Sequence, residues 1–405
     1  MGGTTAKGSL VLDHQTLKAY ELEAARVHHF KKGSGLLIKT PVIDLIEIGS
    51  GGGSLAEVDE RGMIRVGPVS AGAKPGPVCY GQGGTRPTLT DANLVLGYLD
   101  ADYFLGGTMK IDRAAAGRAI EEHIAAPLGI DLIRAAWGIH EVANEDVARS
   151  FRLHASERGT DYRSASMVAF GGSGPAHAIR IARKLKMSRL VFPPGAGVMS
   201  AFGMLVSPLS FEVIRSHRSV LGALTSESQR EFFASLEKEA TDVLLEAGIP
   251  REDMHISRRL DMRYEGQGYE IEIPLDSLGE SDLSASKIAD LFVSEYSRIF
   301  SRPVPDRGLE IINWKLTATG KEPLKLTREN LKRYAGGSGI KKRVRTAYDP
   351  DAGEMVPFNI YDRYSLRPGD QLDGPSIVEE KEATCVIGGN ANVYVDEFLN
   401  LVAEF

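Results

Sequence analysis

Four glycine-rich stretches in the first 200 residues constrain this chain more than any other feature. They are Gly2–Thr5, Gly51–Ser54, a long Gly/Pro-rich loop over Gly67–Gly84, and Gly171–Gly174. Glycine lets backbone amides approach a phosphate group closely, and a helix N-terminus behind such a loop adds a favourable dipole. Any one stretch is more typical of a tight turn than of a ligand contact. Their concentration in one part of the chain predicts a single nucleotide or substrate cleft.

The last of these stretches has the clearest local context. Ser166–Phe170 predicts a short strand, a helix follows over Ala176–Leu185, and Arg189–Phe192 predicts a second strand. A strand, glycine loop, helix and strand in this order are typical of α/β nucleotide folds. The loop matches neither GxxxxGK[ST] nor GxGxxG, so the pattern indicates a fold class and no named phosphate motif. The cofactor-binding residues predicted from the loops are Gly2, Gly3, Thr4, Thr5, Gly51, Gly52, Gly53, Ser54, Gly171, Gly172, Ser173 and Gly174.

Hydrophobic periodicity predicts the remaining organisation. Val42–Ile48 is a β-branched run typical of a buried strand, and polar, basic Lys321–Lys342 predicts a linker. The predicted domains are 1–215, 216–325 as an α+β domain, and 326–405 as a β-rich domain. Four further helices are predicted over Arg113–Ala126, Leu132–Ser156, Glu227–Ala247 and Ala285–Ile299.

Three charged or titratable residues beside the loops are candidates for chemistry. Lys7 follows Gly2–Thr5 and could neutralise phosphate charge, although a surface lysine is the simpler interpretation. Asp91 could act as a base or hold Mg²⁺ through water; alternatively, Thr90 and Asp91 cap a helix that begins near Ala92. Lys7 and Asp91 are the predicted catalytic residues. His177 could meet a ligand, but its position favours a structural histidine.

Composition limits the functional classes. The net charge of −6 argues against a nucleic-acid partner. No apolar run reaches the roughly 18 residues that a membrane helix needs, and no signal peptide is recognised after Met1. Cys79 and Cys385 are far apart and lie in no CxxC pattern, so neither a disulfide framework nor a zinc site is expected. These features predict a cytoplasmic protein that binds neither nucleic acid nor membrane.

The same loops carry a family resemblance that extends over nearly the whole chain. The sequence resembles the hydantoinase/oxoprolinase A family, which also includes acetone-carboxylase β-type subunits. The matching stretches are Met1–Lys7, Lys31–Asp59, Val66–Leu99, Glu157–Ala178, Phe192–Pro208, Met262–Ile271 and Gly374–Glu380.

This resemblance implies a fold and an activity. The fold is α/β, an actin/sugar-kinase-like (ribonuclease H-like) ATPase portion followed by a strand-rich α+β C-terminal part. Met1–Lys7 would be the second phosphate loop and Gly171–Pro175 the loop beside the adenosine. The implied cofactors are ATP and Mg²⁺, with no metal ligands assigned. ATP would phosphorylate the carbonyl oxygen of a lactam or hydantoin, and water would open the ring. A B-type partner subunit and an oligomeric assembly are implied as well.

One departure from the family leaves alternatives open. Family members carry a first GGT-type phosphate loop in an N-terminal half, and an aspartate before the second loop, where this sequence begins at Met1. The chain is therefore expected to be a split subunit that needs a separate N-terminal half, a truncated gene product, or a degenerate relative. The alternative activities are an acetone-carboxylase-type subunit that phosphorylates a ketone enolate or bicarbonate, and a non-catalytic subunit.

Overall fold

The computed structural model describes residues 1–12, 14–25, 34–279, 282–304, 307–324 and 341–405. The chain divides into two compact units, which are Met1–Gly203 with Leu326–Phe405, and Met204–Lys325.

Short strands in antiparallel pairs make up the start of the first unit. β1 pairs with β6, β2 with β3, β4 with β5, and β7 with β8. Their bounds are β1 (Ala6–Ser9), β2 (Val11–Leu12), β3 (Gln15–Thr16), β4 (Lys18–Ala24), β5 (Leu36–Ile43), β6 (Leu45–Ile48), β7 (Ser54–Val58) and β8 (Ile64–Ser70).

The buried strand predicted over Val42–Ile48 is wrong. The run is divided between β5 and β6 at Asp44, and Ile43 and Leu45 are exposed. Asp44 is buried instead, and its carboxylate accepts hydrogen bonds from the Arg158 guanidinium. A buried carboxylate needs such a partner, and the Arg158 guanidinium supplies it.

Helices fill the middle of the first unit. They are α1 (Leu89–Val95), α2 (Arg113–Ile120), α3 (Ala126–Leu128) and α4 (Leu132–Glu157), and a π-helical turn at Glu121–Ala125 joins α2 to α3. The helices predicted over Arg113–Ala126 and Leu132–Ser156 are confirmed. The predicted start of α1 near Ala92 is three residues late.

The predicted strand–loop–helix–strand unit is also confirmed. β9 (Ser166–Val168), α5 (Gly174–Lys184) and β10 (Arg189–Phe192) follow in order, and α6 (Met199–Val206) comes after them. β9 and β10 are parallel, with Met167 opposite Leu190. The chain therefore leaves β9 through the glycine loop and returns along α5.

The second unit is an antiparallel four-stranded sheet with two helices, in the order β11–β14–β12–β13. Phe233, Phe292 and Trp314 from its helices and sheet lie in one buried cluster. The helices predicted over Glu227–Ala247 and Ala285–Ile299 are confirmed. The elements are β11 (Ser210–Val220), α7 (Ser226–Glu246), β12 (Met254–Tyr264), β13 (Ile271–Pro274), α8 (Ala285–Phe300) and β14 (Leu309–Gly320).

The last segment belongs to the first unit. It forms one sheet in the order β15–β16–β18–β19 and completes a second in the order β17–β20–β21–β10–β9. The strands are β15 (Lys341–Asp349), β16 (Glu354–Asp362), β17 (Gln371–Leu372), β18 (Ser376–Glu379), β19 (Thr384–Ile387), β20 (Asn392–Val395) and β21 (Leu401–Glu404).

The predicted division into three consecutive domains stays a prediction. The segment 326–405 is strand-rich, as expected, but it shares a sheet with β9 and β10. Of the linker predicted over Lys321–Lys342, residues 325–340 lie outside the described residues.

Candidate functional site

Three of the four predicted glycine loops meet at the first residues of the chain. The carbonyl of Met1 accepts hydrogen bonds from the amides of Ser173 and Gly174, at 3.2 and 3.0 Å. The amides of Gly52 and Gly53 donate to the carbonyls of Gly2 and Gly3, at 3.0 and 2.6 Å. Residues 1–5, 51–54 and 171–174 thus form one backbone-bonded surface, here called the glycine cradle.

The long loop over Gly67–Gly84 joins the cradle at one end. The amide of Ala71 donates to the carbonyl of Gly53 at 2.8 Å, and the Ser70 hydroxyl lies 3.5 Å from Thr4 Oγ1. The first part of this loop therefore borders the cradle, as the clustering of glycines predicts.

Close backbone contacts explain why glycine occupies two central positions. A Cβ on Gly51 would lie 2.6 Å from the carbonyl carbon of Thr4. A Cβ on Gly171 would collide with the carbonyl of Met1, and Gly171 has a φ of +90°, which L side chains rarely adopt. At these positions glycine lets the three loops touch.

The open side of the cradle presents backbone donors. Within the described residues, the amides of Gly3, Thr4 and Gly172 donate no hydrogen bond, and all three residues are exposed. A Cβ on Gly2 or Gly3 would meet no atom within 4 Å. Unpaired amides on exposed glycine-loop residues are the chemistry that binds phosphate oxygens, so the residues present fit a nucleotide phosphate.

The other loop residues support the cradle from behind. Gly51, Gly52, Gly53 and Ser54 are buried, and Ser54 Oγ accepts from the amide of Gly51 at 2.8 Å. The amide and hydroxyl of Thr90 both donate to the carbonyl of Gly52 at 2.8 Å. The ligand contact predicted for 51–54 stays a prediction, and in the structure these residues brace Gly2 and Gly3.

Lys7 lies at the edge of the cradle. Its ammonium group contacts Thr5 Oγ1 at 2.5 Å and the Glu47 carboxylate at 2.7 Å, and its side chain is 52% exposed. An exposed ion pair of this kind contributes at most about 1 kcal/mol to stability. The ammonium group can therefore exchange Glu47 for another anion at little cost, and the catalytic role of Lys7 stays a prediction.

Asp91 is fully buried at the third position of α1. Its carboxylate accepts from the amides of Cys79 and Thr88 at 2.8 Å and from that of Val78 at 3.1 Å. Thr88 Oγ1 in turn accepts from the amide of Asp91, a capping box that starts the helix at Leu89. This reciprocal bonding is why Thr88, and not the predicted Thr90–Asp91 pair, is the cap. The catalytic role of Asp91 stays a prediction, and its contacts give it a structural one.

Sequence reasoning missed a buried polar network behind the cradle. Asn93 contacts His177 Nε2 through Nδ2 at 3.0 Å and His140 Nδ1 through Oδ1 at 2.8 Å. His177 Nδ1 reaches Asn144 Oδ1 at 2.8 Å. We call these four residues the histidine–asparagine chain. His177 is completely buried, which agrees with the structural interpretation. The four-residue spacing of His140 and Asn144 on α4 is the sequence signal that places them on one helix face.

Burial controls the charge of both histidines. It lowers the pKa of His140 to about 3, with a smaller effect of the nearby Arg180 guanidinium. Burial lowers the pKa of His177 well below its usual value, and the neighbouring His140 adds to the effect. Both imidazoles are therefore neutral near pH 7.

The described residues contain neither a metal-binding cluster nor a membrane-spanning helix. No group of three His, Cys, Asp or Glu side chains is arranged to hold a metal ion in that part of the chain. Among the helices that the structure describes, none has the length and apolar character needed to cross a membrane.

Comparison with known families identifies the chain's relatives. Residues 1–213 match the family model described as Hydantoinase/oxoprolinase, and residues 222–402 match the Hydantoinase/oxoprolinase C-terminal domain. The chain belongs to the hydantoinase/oxoprolinase family. The resemblance based on the loop motifs is thus confirmed.

Curated relatives match almost the full chain but are longer than it. An uncharacterised protein of Methanocaldococcus jannaschii is 35% identical over 98% of this chain and 57% of its own length. Caprolactamase subunit alpha of Pseudomonas jessenii is 32% identical over 91% of this chain and 54% of its own length. Acetophenone carboxylase gamma subunit of Aromatoleum aromaticum is 32% identical over 89% and 50%. The chain thus spans about half the length of the curated relatives it matches.

Solved structures confirm the α/β, actin/sugar-kinase-like fold class. The ATP-dependent caprolactamase from Pseudomonas jessenii aligns with a TM-score of 0.76 at 27% identity, over all of this chain and 58% of the other. A nucleotide-free acetone carboxylase structure aligns with a TM-score of 0.81 at 24% identity, over all of this chain and 57% of the other, and that likeness concerns the fold alone.

Proposed function

We propose that this chain supplies the glycine cradle of an ATP-dependent enzyme that phosphorylates and opens a lactam or hydantoin ring. The observation that carries the proposal is the convergence of three glycine loops with the unpaired amides of Gly3, Thr4 and Gly172 on their open side. The 32% identity to a caprolactamase subunit supports the cyclic-amide substrate class.

Each part of the cradle has a role in this proposal. The amides of Gly3 and Thr4 bind phosphate oxygens, and the amide of Gly172 approaches the nucleotide from the opposite loop. Lys7 leaves Glu47 and neutralises phosphate charge from the edge of the cradle. Positioning and charge neutralisation are what phosphoryl transfer requires of a protein. ATP, when bound with Mg²⁺, supplies the phosphoryl group that turns the amide oxygen into a leaving group.

Partner subunits belong to the same proposal. Relatives are named as alpha or gamma subunits, and this chain spans about half their length. We propose that a B-type subunit completes the hydrolase in an oligomeric assembly.

A second candidate reaction is the phosphorylation of a ketone enolate or bicarbonate. The observation in its favour is that the acetophenone carboxylase gamma subunit is as similar, at 32% identity, as the caprolactamase subunit. The same cradle would serve both reactions, because each begins with transfer of a phosphoryl group to oxygen.

Calorimetric titration of Mg-ATP into the purified chain tests the cradle. We expect saturable binding that weakens at least tenfold in Gly172→Val and Lys7→Ala. Lys287→Ala is the matched control, because Lys287 is a similarly exposed lysine, paired with Asp282, in the second unit. Equal losses in Lys7→Ala and Lys287→Ala, or no binding at millimolar Mg-ATP, would contradict a nucleotide site in this chain.

Substrate class is tested by phosphate release. The chain, combined with its partner subunits, is assayed with lactams of increasing ring size, with hydantoin, and with ketone plus bicarbonate. Lactam-dependent or hydantoin-dependent release supports the leading proposal. Release that depends on ketone and bicarbonate supports the second one instead.

A further inference from the structure

With the side-chain amides of Asn93 and Asn144 oriented as in the structure, the histidine–asparagine chain has one direction of hydrogen bonding. The amide nitrogen of Asn93 can only donate, so His177 Nε2 accepts and the imidazole proton lies on Nδ1, from which it donates to Asn144 Oδ1. The amide oxygen of Asn93 can only accept, so His140 Nδ1 donates to it. With the amide oriented as these bonds require, both rings are Nδ1–H tautomers.

Each end of the Asn93–His177 bond lies close to one loop of the glycine cradle. Asn93 is three residues beyond Thr90, whose amide and hydroxyl hold the carbonyl of Gly52. His177 is three residues beyond Gly174, whose amide holds the carbonyl of Met1. The bond therefore connects two loop anchors. Its own partners, Asn93 and His177, are 84 residues apart in the sequence.

The two loops also lie close together, so their spacing matters. A Cβ on Gly52 would lie 2.8 Å from Thr90 Oγ1 and 3.5 Å from Ser173 Oγ. A small separation of α1 from α5 would therefore alter the surface that Gly2 and Gly3 rest on. Asn93 and His177 are almost completely buried, and a buried hydrogen bond that loses one partner leaves the other unsatisfied at a substantial cost.

The ring stacking holds this bond in place. The imidazoles of His140 and His177 stack with centroids 4.4 Å apart and an interplanar angle of 21°, and Trp137 stacks on the other side of His140. A ring packed in this way cannot rotate freely, so His177 Nε2 stays directed at Asn93.

We propose that Asn93 and His177 are positioning residues, whose hydrogen bond sets the spacing between the 51–54 and 171–174 loops of the glycine cradle. They touch no ligand themselves. The consequence for nucleotide affinity rests on the proposed function, whereas the consequence for loop order does not.

The test compares four single variants of the full chain, and one double variant, with the wild type. His177→Leu and Asn93→Leu remove the bond, and His177→Gln keeps an acceptor for the Asn93 amide. His154→Leu is the matched control, because His154 is a buried histidine of α4 whose Nε2 has no hydrogen-bond partner among the described residues. Hydrogen exchange of residues 51–54 and 171–174 is measured without nucleotide, and Mg-ATP affinity is measured by calorimetry.

Positioning predicts a specific pattern of results. His177→Leu and Asn93→Leu should accelerate exchange in both loops and weaken Mg-ATP binding at least tenfold, and the double variant should be no worse than either single one. His177→Gln should restore loop protection, and His154→Leu should change affinity less than twofold even if it lowers Tm.

The contrary results are equally distinct. Unchanged loop exchange in Asn93→Leu and His177→Leu overturns the positioning role. If His177→Leu does not fold, the contrast between Asn93→Leu and His177→Gln decides the question. Accelerated exchange in a chain whose wild type does not bind Mg-ATP would support positioning and reject the nucleotide function.

Discussion

Gly51 is a residue at which the cradle leaves no room for a side chain. A methyl group there would lie within 2.7 Å of backbone atoms of Gly3 and Thr4, and backbone cannot move aside as a flexible side chain can. We therefore expect Gly51→Ala to lower the free energy of unfolding by about 1–3 kcal/mol, as overpacking does.

Chemical denaturation of Gly51→Ala checks this expectation. Gly222→Ala is the control, because a Cβ on Gly222 meets no atom within 4 Å. Equal stability of the two variants would mean that residues 1–4 do not lie against Gly51 in solution.

A substitution at Asp91 can distinguish a structural role of this residue from a catalytic one. The Asp91→Asn substitution replaces the carboxylate with an amide, which has only one acceptor oxygen. The backbone amides of Val78, Cys79 and Thr88 now share two carboxylate oxygens, so at least one of these N–H groups loses its partner. We expect a loss of about 1–3 kcal/mol in unfolding free energy. An Asp91→Asn variant with wild-type stability and abolished turnover would instead support the catalytic prediction.

At the scale of elements, α4 and α5 bury two histidines that stay neutral, which makes stability depend on pH. Their folded-state pKa values lie below the unfolded value of about 6.5. Between about pH 6.5 and pH 3 the unfolded chain therefore binds protons that folded His140 does not. The free energy of unfolding should therefore decrease as the pH is lowered through that window. Above the window, the two histidines should add no further stability as the pH rises.

The expected loss for His140 is about 2 kcal/mol between pH 6.5 and pH 5, at about 1.4 kcal/mol per pH unit. Urea denaturation at both pH values measures it. His140→Gln should show a smaller drop than the wild type, and His255→Gln, at an exposed strand position, should keep the full one. Identical drops in wild type and His140→Gln would show that another group causes the acid sensitivity.

The sequence patterns predicted secondary-structure elements more successfully than they predicted tertiary contacts. α4, α5, α7 and α8 follow from local periodicity and end signals, which act within a few residues. The position of Asp44 could not be predicted this way, because its partner Arg158 is 114 residues away. The same applies to the site: the glycine loops are visible as motifs, but the bond between Asn93 and His177 depends on how α1 and α5 pack.

At the scale of the whole molecule, the two compact units predict different behaviour for fragments. Met204–Lys325 has its own buried cluster around Trp314 and a sheet formed within the segment, so we expect it to unfold cooperatively when expressed alone. A fragment ending at residue 213 lacks the strands that complete the sheet of β9 and β10. It should show no cooperative transition.

Thermal unfolding followed by near-ultraviolet circular dichroism distinguishes the two fragments, with the full chain as reference. A cooperative transition in the 1–213 fragment would show that its sheet does not need the last strands. A failure of 204–325 to fold would mean that its buried cluster depends on the rest of the chain.

The position of β21 also has a consequence for biosynthesis. Leu401–Glu404 lies between β20 and β10 near the middle of its sheet, so that sheet cannot close until these residues have left the ribosome. Domains commonly fold in the order in which they are synthesised, but here the sheet that contains β9 and β10 must wait until residues 401–404 have been synthesised. Throughout elongation, the nascent chain carries an unfinished sheet edge beside its glycine loops, and a chaperone that covers such edges would have its longest opportunity to bind there.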